Sequence, residues 1–184
     1  MKKILSLAFL LMLSLSLFAQ RQVTKFLGIP VDGSRTTMIQ KLKAKGFRYN
    51  SYVNGLEGKF NGRNVWIGVQ TNKNKVWRII VTYKDSYDKE QIKIQYNNLI
   101  YQFANNPRYK VLDAEELTDE DDIVQEVSIN KKQYDANFGQ IPDDENIEKR
   151  FVWFAISEDP NDFEEYHIRI YYENKYNEAN GDDL

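Results

Sequence analysis

Cysteine is absent from all 184 residues, and histidine occurs once, as His167. These shortages exclude thiol nucleophiles, Cys-rich zinc sites and iron–sulfur clusters. A zinc site would have one imidazole at most, and a Ser-His-Asp triad would have to be built on His167. No Walker or dinucleotide-binding glycine pattern is present, so no cofactor and no metal are expected. Long apolar runs are equally scarce. The only one is Ile4 to Phe18, broken by Ser6, Ser14 and Ser16. About 15 residues fall short of the roughly 20 that span a bilayer. Met1-Lys2-Lys3 precedes the run, and Ala19 then Gln20 follow it. That is the order of regions in a secretory signal peptide. The expectation is an exported chain, periplasmic or extracellular, cut after Ala19. With no Cys at the cut it is not a lipoprotein, and no later stretch is long enough to cross a membrane.

Beyond residues 1–19, the other 165 form one ordinary domain, or two small halves sharing a core. Loss of Lys2 and Lys3 moves the formal charge from −2 to −4. That balance gives no electrostatic footprint for nucleic acid. Aromatic residues at 14% argue for a packed core rather than disorder.

Two helices stand out. Ser34 or Thr36 is placed to cap a helix over about 35–45, with Met38, Ile39 and Leu42 as its apolar stripe. Gly46 stands at the left-handed stop and Phe47 follows it, as in a Schellman motif. The second helix spans about 87–105, capped by Asp85 or Ser86. Ile92, Tyr96, Leu99 and Phe103 recur at helical spacing before Asn105-Asn106-Pro107 ends it.

Strands follow each helix, and the two sets correspond. Leu56 to Phe60 matches Tyr134 to Phe138, Val65 to Val69 matches Val152 to Ile156, and Trp77 to Tyr83 matches Tyr166 to Tyr172. Asn61-Gly62 is a hairpin signal. The expected fold is α+β. Two α-βββ halves, about 24–84 and 86–176, build an antiparallel sheet of about six to eight strands with the helices packed on one face. Residues 108–132 form an acidic insertion, expected as a solvated loop without the EF-hand spacing. Residues 177–184 form a flexible tail.

Alternation sorts the strand residues into two faces. Leu56, Val65, Ile67, Val69, Trp77, Ile79, Val81 and Tyr83, with their second-half counterparts, make an apolar face for the helices. The other face holds Glu57, Lys59, Trp66, Arg78, Ile80 and Thr82, then Asp135, Asn137, Trp153, His167, Arg169 and Tyr171. Aromatic residues and arginine set among charges are the composition of interface hot spots. Trp66, Arg78, Trp153, His167, Arg169 and Tyr171 are the candidate binding residues. The alternatives are that loops bury the tryptophans and that His167 is an ordinary strand histidine.

The stretch Phe26-Leu27-Gly28-Ile29-Pro30-Val31-Asp32-Gly33-Ser34, continued by Lys41 to Phe47, resembles a family of uncharacterised exported proteins of gut Bacteroidales. Ile170-Tyr171-Tyr172-Glu173-Asn174 and the ending Gly181-Asp182-Asp183-Leu184 have the same look. The resemblance implies export and carries over no functional residue. In architecture, tandem halves of helix then antiparallel strands are similar to the beta-lactamase inhibitor protein group. That likeness implies partner binding by an aromatic-rich sheet face. This chain departs from the group in lacking Cys and in showing one helix per half.

The leading expectation is an exported, non-catalytic binding module that engages a protein, peptide or glycan. A hydrolase inhibitor is one version of it. The alternative is a secreted hydrolase using carboxylates, the only plentiful catalytic groups, with Glu57 and Asp135 as a conceivable pair.

Overall fold

The computed structural model describes residues 21–160, 162–179 and 181. The expected signal peptide lies outside the described residues. Ser34 caps α1 (Arg35–Ala44) by accepting the Thr37 amide at 3.2 Å. At its other end Gly46 has φ +97°. Phe47 N donates to Leu42 O at 3.2 Å and Gly46 N to Lys43 O at 3.0 Å. Both bonds of the Schellman stop are therefore made. The Phe47 ring then lies on β4 (Gly55–Phe60), where a Cβ on Gly58 would meet it at 2.6 Å.

The second helix, α2 (Lys89–Ala104), starts later than the sequence suggests, because Asp88 is its cap. The Asp88 carboxylate accepts the Gln91 amide at 2.7 Å. Asp85 and Ser86 do not cap it. Tyr87 between them and the helix is held in an isolated antiparallel bridge with Tyr166. The helix buries Ile92, Tyr96, Leu99, Ile100 and Phe103, each worth roughly 1.5–3 kcal/mol before entropy. Phe103 stacks on Phe138 with centroids 4.8 Å apart.

Eight strands form one antiparallel sheet. The first half supplies β3 (Arg48–Asn50), β4, β5 (Arg63–Asn72) and β6 (Lys75–Tyr83). The second supplies β7 (Tyr109–Asp113), β8 (Asp135–Gln140), β9 (Arg150–Asp159) and β10 (Asp162–Asn174). The spatial order is β3-β4-β5-β6-β10-β9-β8-β7, so the halves meet at β6 and β10. Each helix is followed by four strands, one more than the three paired from sequence. Val81 lies opposite Ile170, and these residues also correspond in the sequence match. Trp66 and Trp153 hold equivalent places on β5 and β9. The match of β4 with β8 slips by two residues, since Trp66 faces Glu57 but Trp153 faces Asn137. A slip of two preserves parity, so the face assignment is unaffected.

One residue of the expected apolar face, Trp77, departs from the alternation. Gln70 pairs Arg78 while Thr71 pairs Val76, which leaves Trp77 as the extra residue of a β-bulge. Val76 takes the inward position and is fully buried, and Trp77 is only half-buried. The acidic insertion is not simply a solvated loop. It opens with edge strand β7, and Leu117, Ile123 and Val127 are buried in the core. Ile123 and Val127 flank the start and middle of a π-helical turn over Val124–Ile129.

A short hairpin of β1 (Lys25–Phe26) and β2 (Ile29–Pro30) ties the halves together. Phe26 is fully buried between Phe60 of the first half and Tyr172 of the second, at centroid distances of 5.3 and 4.9 Å. Thr24 Oγ1 donates to Glu173 O, and Asn174 Nδ2 donates to Val31 O at 2.8 Å. Asn177, counted in the tail, is anchored by donating to Val76 O at 2.9 Å. No helix among the described residues is long and apolar enough to cross a membrane.

Candidate functional site

The face opposite the helices is ordered in rows by the strand register. One row runs Glu57, Trp66, Thr82, Arg169, Ala155, Asp135. The next runs Gly68, Ile80, Tyr171, Trp153, Asn137, and a third runs Gln70, Arg78, Glu173, Phe151. Trp66, Trp153, Arg78, His167, Arg169 and Tyr171 all lie on this outer face, and all are half-buried. The loops do not bury the two tryptophans. The face is covered at one corner, where Ile147 of a 3-10 turn packs over Gly139.

The middle of the face is a built structure. Trp153 stacks on Tyr171 with centroids 3.9 Å apart and planes at 10°. Its indole Nε1 donates to Glu173 Oε1 at 2.8 Å. That same carboxylate oxygen takes Arg78 Nη2 at 2.5 Å, and Lys175 Nζ lies 3.0 Å from Oε2. The Glu173 side chain is 1% exposed, so it is a buried carboxylate held by two cations and an indole. Arg78 in turn lies over the Trp77 ring at 4.0 Å. Lys175 lies over the Phe151 ring at 4.9 Å. Locking side chains this way reduces the ordering entropy that a ligand would otherwise have to offset.

Trp66 stands apart from that cluster. Three strand spacings separate it from Trp153, about 14 Å. The two indoles therefore do not form one sandwich. Lys84 Nζ sits 3.4 Å from the Trp66 ring centroid and 2.7 Å from Glu57 Oε2. Hydrogen bonding to Lys84 holds the Glu57 carboxyl below its ordinary range. Between Trp66 and Tyr171 lies a depression of about 270 Å³. A second, of about 280 Å³, lies beside Arg78, Phe151 and Trp153.

His167 is on the predicted face but at its margin. Nε2 lies 2.6 Å from Asp159 Oδ2, and Nδ1 lies 3.1 Å from Asp85 O. Both ring nitrogens face acceptors, so neither is placed to take a proton from a serine hydroxyl, as a triad requires. Glu57 and Asp135 occupy opposite ends of one row, five strand spacings or about 24 Å apart. Paired glycosidase carboxylates lie within about 5–9.5 Å, so this pair does not serve that chemistry. No group of three or more metal-ligating side chains occurs among the described residues.

Glu173, Phe151, Trp77 and Lys175 join the candidate residues only in the folded structure. For Glu173 and Phe151 the signal was available. They lie two residues beyond Tyr171 and before Trp153, so alternation puts them on the same face. Comparison with known proteins adds nothing to this geometry: no family model, curated protein or solved structure matches the chain.

Proposed function

We propose that this protein is an exported, non-catalytic binding module that engages a macromolecular partner with its outer sheet face. The observation that carries the reading is the Trp153–Tyr171 stack, fixed over the buried Glu173 carboxylate at the middle of an eight-stranded sheet. Half-exposed aromatic and arginine side chains on a rigid support are what hot spots consist of. Half-exposed rings gathered on one sheet face offer apolar surface that a partner can cover. The partner is a protein, peptide or glycan, and a hydrolase that the module inhibits is one version.

Export rests on residues 1–19. It predicts that exported protein begins at Gln20 by mass spectrometry; an intact leader on that protein would remove this part. We further read the two helix-plus-strand halves as an internal duplication, which accounts for the equivalent tryptophans.

The binding test uses immobilised wild-type chain, a glycan array and envelope proteins, compared with Trp66→Ala/Ile80→Glu. Loss of the retained species with an unchanged melting temperature supports the reading. Retention by the variant removes it. Trp153→Ala is unsuitable for this comparison, because its stack and its bond to Glu173 make the side chain part of the fold.

A further inference from the structure

The depression between Trp66 and Tyr171 has a composition that narrows its ligand. Gly68 and Ile80 form its floor, and Val53 stands at its rim. Its polar groups stand around that floor: the Thr82 and Tyr171 hydroxyls, the Trp66 indole N–H and the Arg169 guanidinium. The floor itself offers no side-chain polar group, so a sugar hydroxyl turned towards Gly68 and Ile80 would lose its water without gaining a partner. One apolar side chain fits the floor far better.

Arg169 supplies the second half of the argument. Its guanidinium has no hydrogen-bond or ionic partner among the described residues, and its Nε is buried without an acceptor. Arg78 also has a buried Nε without an acceptor, but its Nη2 is answered by Glu173, and Arg150 is answered by Asp144, so Arg169 differs in having no counter-charge. A half-buried guanidinium without a counter-charge favours an anion that reaches its outer nitrogens, and their planar geometry suits a carboxylate. The surrounding charge agrees. Although the chain is acidic overall, this face sets Arg78, Lys84, Arg169 and Lys175 against Glu57, Asp135 and Glu173.

We propose that this slot receives an apolar side chain of a protein partner while Arg169 takes a neighbouring carboxylate of the same segment. The inference rests on the binding-module reading and selects a protein partner over a glycan. Gly68 gives a clean test. A Cβ there would meet only Ile80 Cβ, at an ordinary 3.7 Å, so Gly68→Val adds bulk to the slot from a position that accepts a side chain, and its melting temperature checks that the strand is kept.

The experiment selects displayed random twelve-residue peptides against the purified chain, with a uronic-acid oligosaccharide as the glycan probe. Enriched peptides should carry Asp or Glu within two residues of Phe, Leu, Ile or Trp. Arg169→Gln and Gly68→Val should each weaken them about tenfold or more, with melting temperatures held. Changing the peptide's acid to its amide should weaken binding to wild type about tenfold and leave Arg169→Gln indifferent. Enrichment without an acid, or affinity unmoved by Arg169→Gln, overturns the inference. So does no enrichment over the Arg169→Gln chain, or preference for the oligosaccharide. Peptides lost with Phe151→Ala yet unmoved by Arg169→Gln and Gly68→Val would overturn the slot but keep the face. Peptides indifferent to all of these variants would remove both.

Discussion

Glu173→Leu tests whether the buried carboxylate holds the outer face together. The substitution removes the acceptor of Trp153 Nε1 and the counter-charge of Arg78 and Lys175. Breaking a buried pair by deleting one member commonly costs about 3–5 kcal/mol. Here the Arg78 and Lys175 side chains are 22% and 29% exposed, so water can rescue them in part. That places the loss near the lower end, about 3 kcal/mol. For a domain of this size about 2–4 °C accompanies each kcal/mol, so the melting temperature should fall by about 6–12 °C. Arg78→Met should cost less, because Lys175 and the indole still serve the carboxylate. The pair Arg78→Met/Glu173→Leu should be more stable than Glu173→Leu alone, since the more buried of the two cations is no longer stranded and Lys175 keeps Glu178. Urea titration by circular dichroism, with near-ultraviolet bands reporting the Trp153–Tyr171 stack, measures each corner of the cycle. A Glu173→Leu chain as stable as wild type, with its near-ultraviolet spectrum intact, would refute the reasoning.

Three further expectations follow from local geometry. Gly46→Val should destabilise by more than about 1 kcal/mol, because a β-branched residue is strained at φ +97°; an unchanged denaturant midpoint would contradict this. Arg150→Met should cost about 2 kcal/mol or more by chemical denaturation. The guanidinium is 2% exposed and serves the carbonyls of Gln140 and Pro142 as well as Asp144, which Met cannot replace. Acid should weaken the fold through carboxyls held below their ordinary values of 3.8 and 4.5: Glu57 by Lys84, Asp121 by the Thr118 amide, Asp144 by Arg150 and Glu158 by Ser128. Their contribution is complete above the ordinary values and is lost as the pH falls through the lowered ones. All four reach solvent, so added salt should shrink the effect; a urea midpoint flat from neutral pH to strong acid would contradict it.

Local chemistry explains why much of this molecule was readable in advance. The Ser34 cap and the Gly46-Phe47 stop depend on residues a few positions apart, and both are realised. Face assignment survived because parity is robust: even the two-residue slip between β4 and β8 leaves every side chain on its own side. Trp77 failed for the opposite reason, since a bulge breaks parity and nothing in Val76-Trp77-Arg78 announces one. Asp88 was legible as a cap, with Gln91 three residues on, but Tyr87 before it reads equally well as the first helical position. Within the acidic insertion, Ile123 and Val127 stand four residues apart, a spacing that signals a buried helical face. Distant partnerships were not legible. The grip of Arg150 on the 140–144 segment, the bridging of both halves by Phe26, and the convergence of Arg78, Lys175 and Trp153 on Glu173 all join residues that only the folded sheet brings together.

Site-specific photo-crosslinking in the producing cell tests the central claim most directly. A benzophenone amino acid would replace Gln70 or Thr82 on the outer face, and Tyr101 or Ile94 on the exposed side of α2, where they are 68% and 58% exposed. The account predicts a discrete cross-linked species from Gln70 and Thr82 and none from Tyr101 or Ile94. Adducts confined to the helix positions, or none from the sheet face, would contradict it.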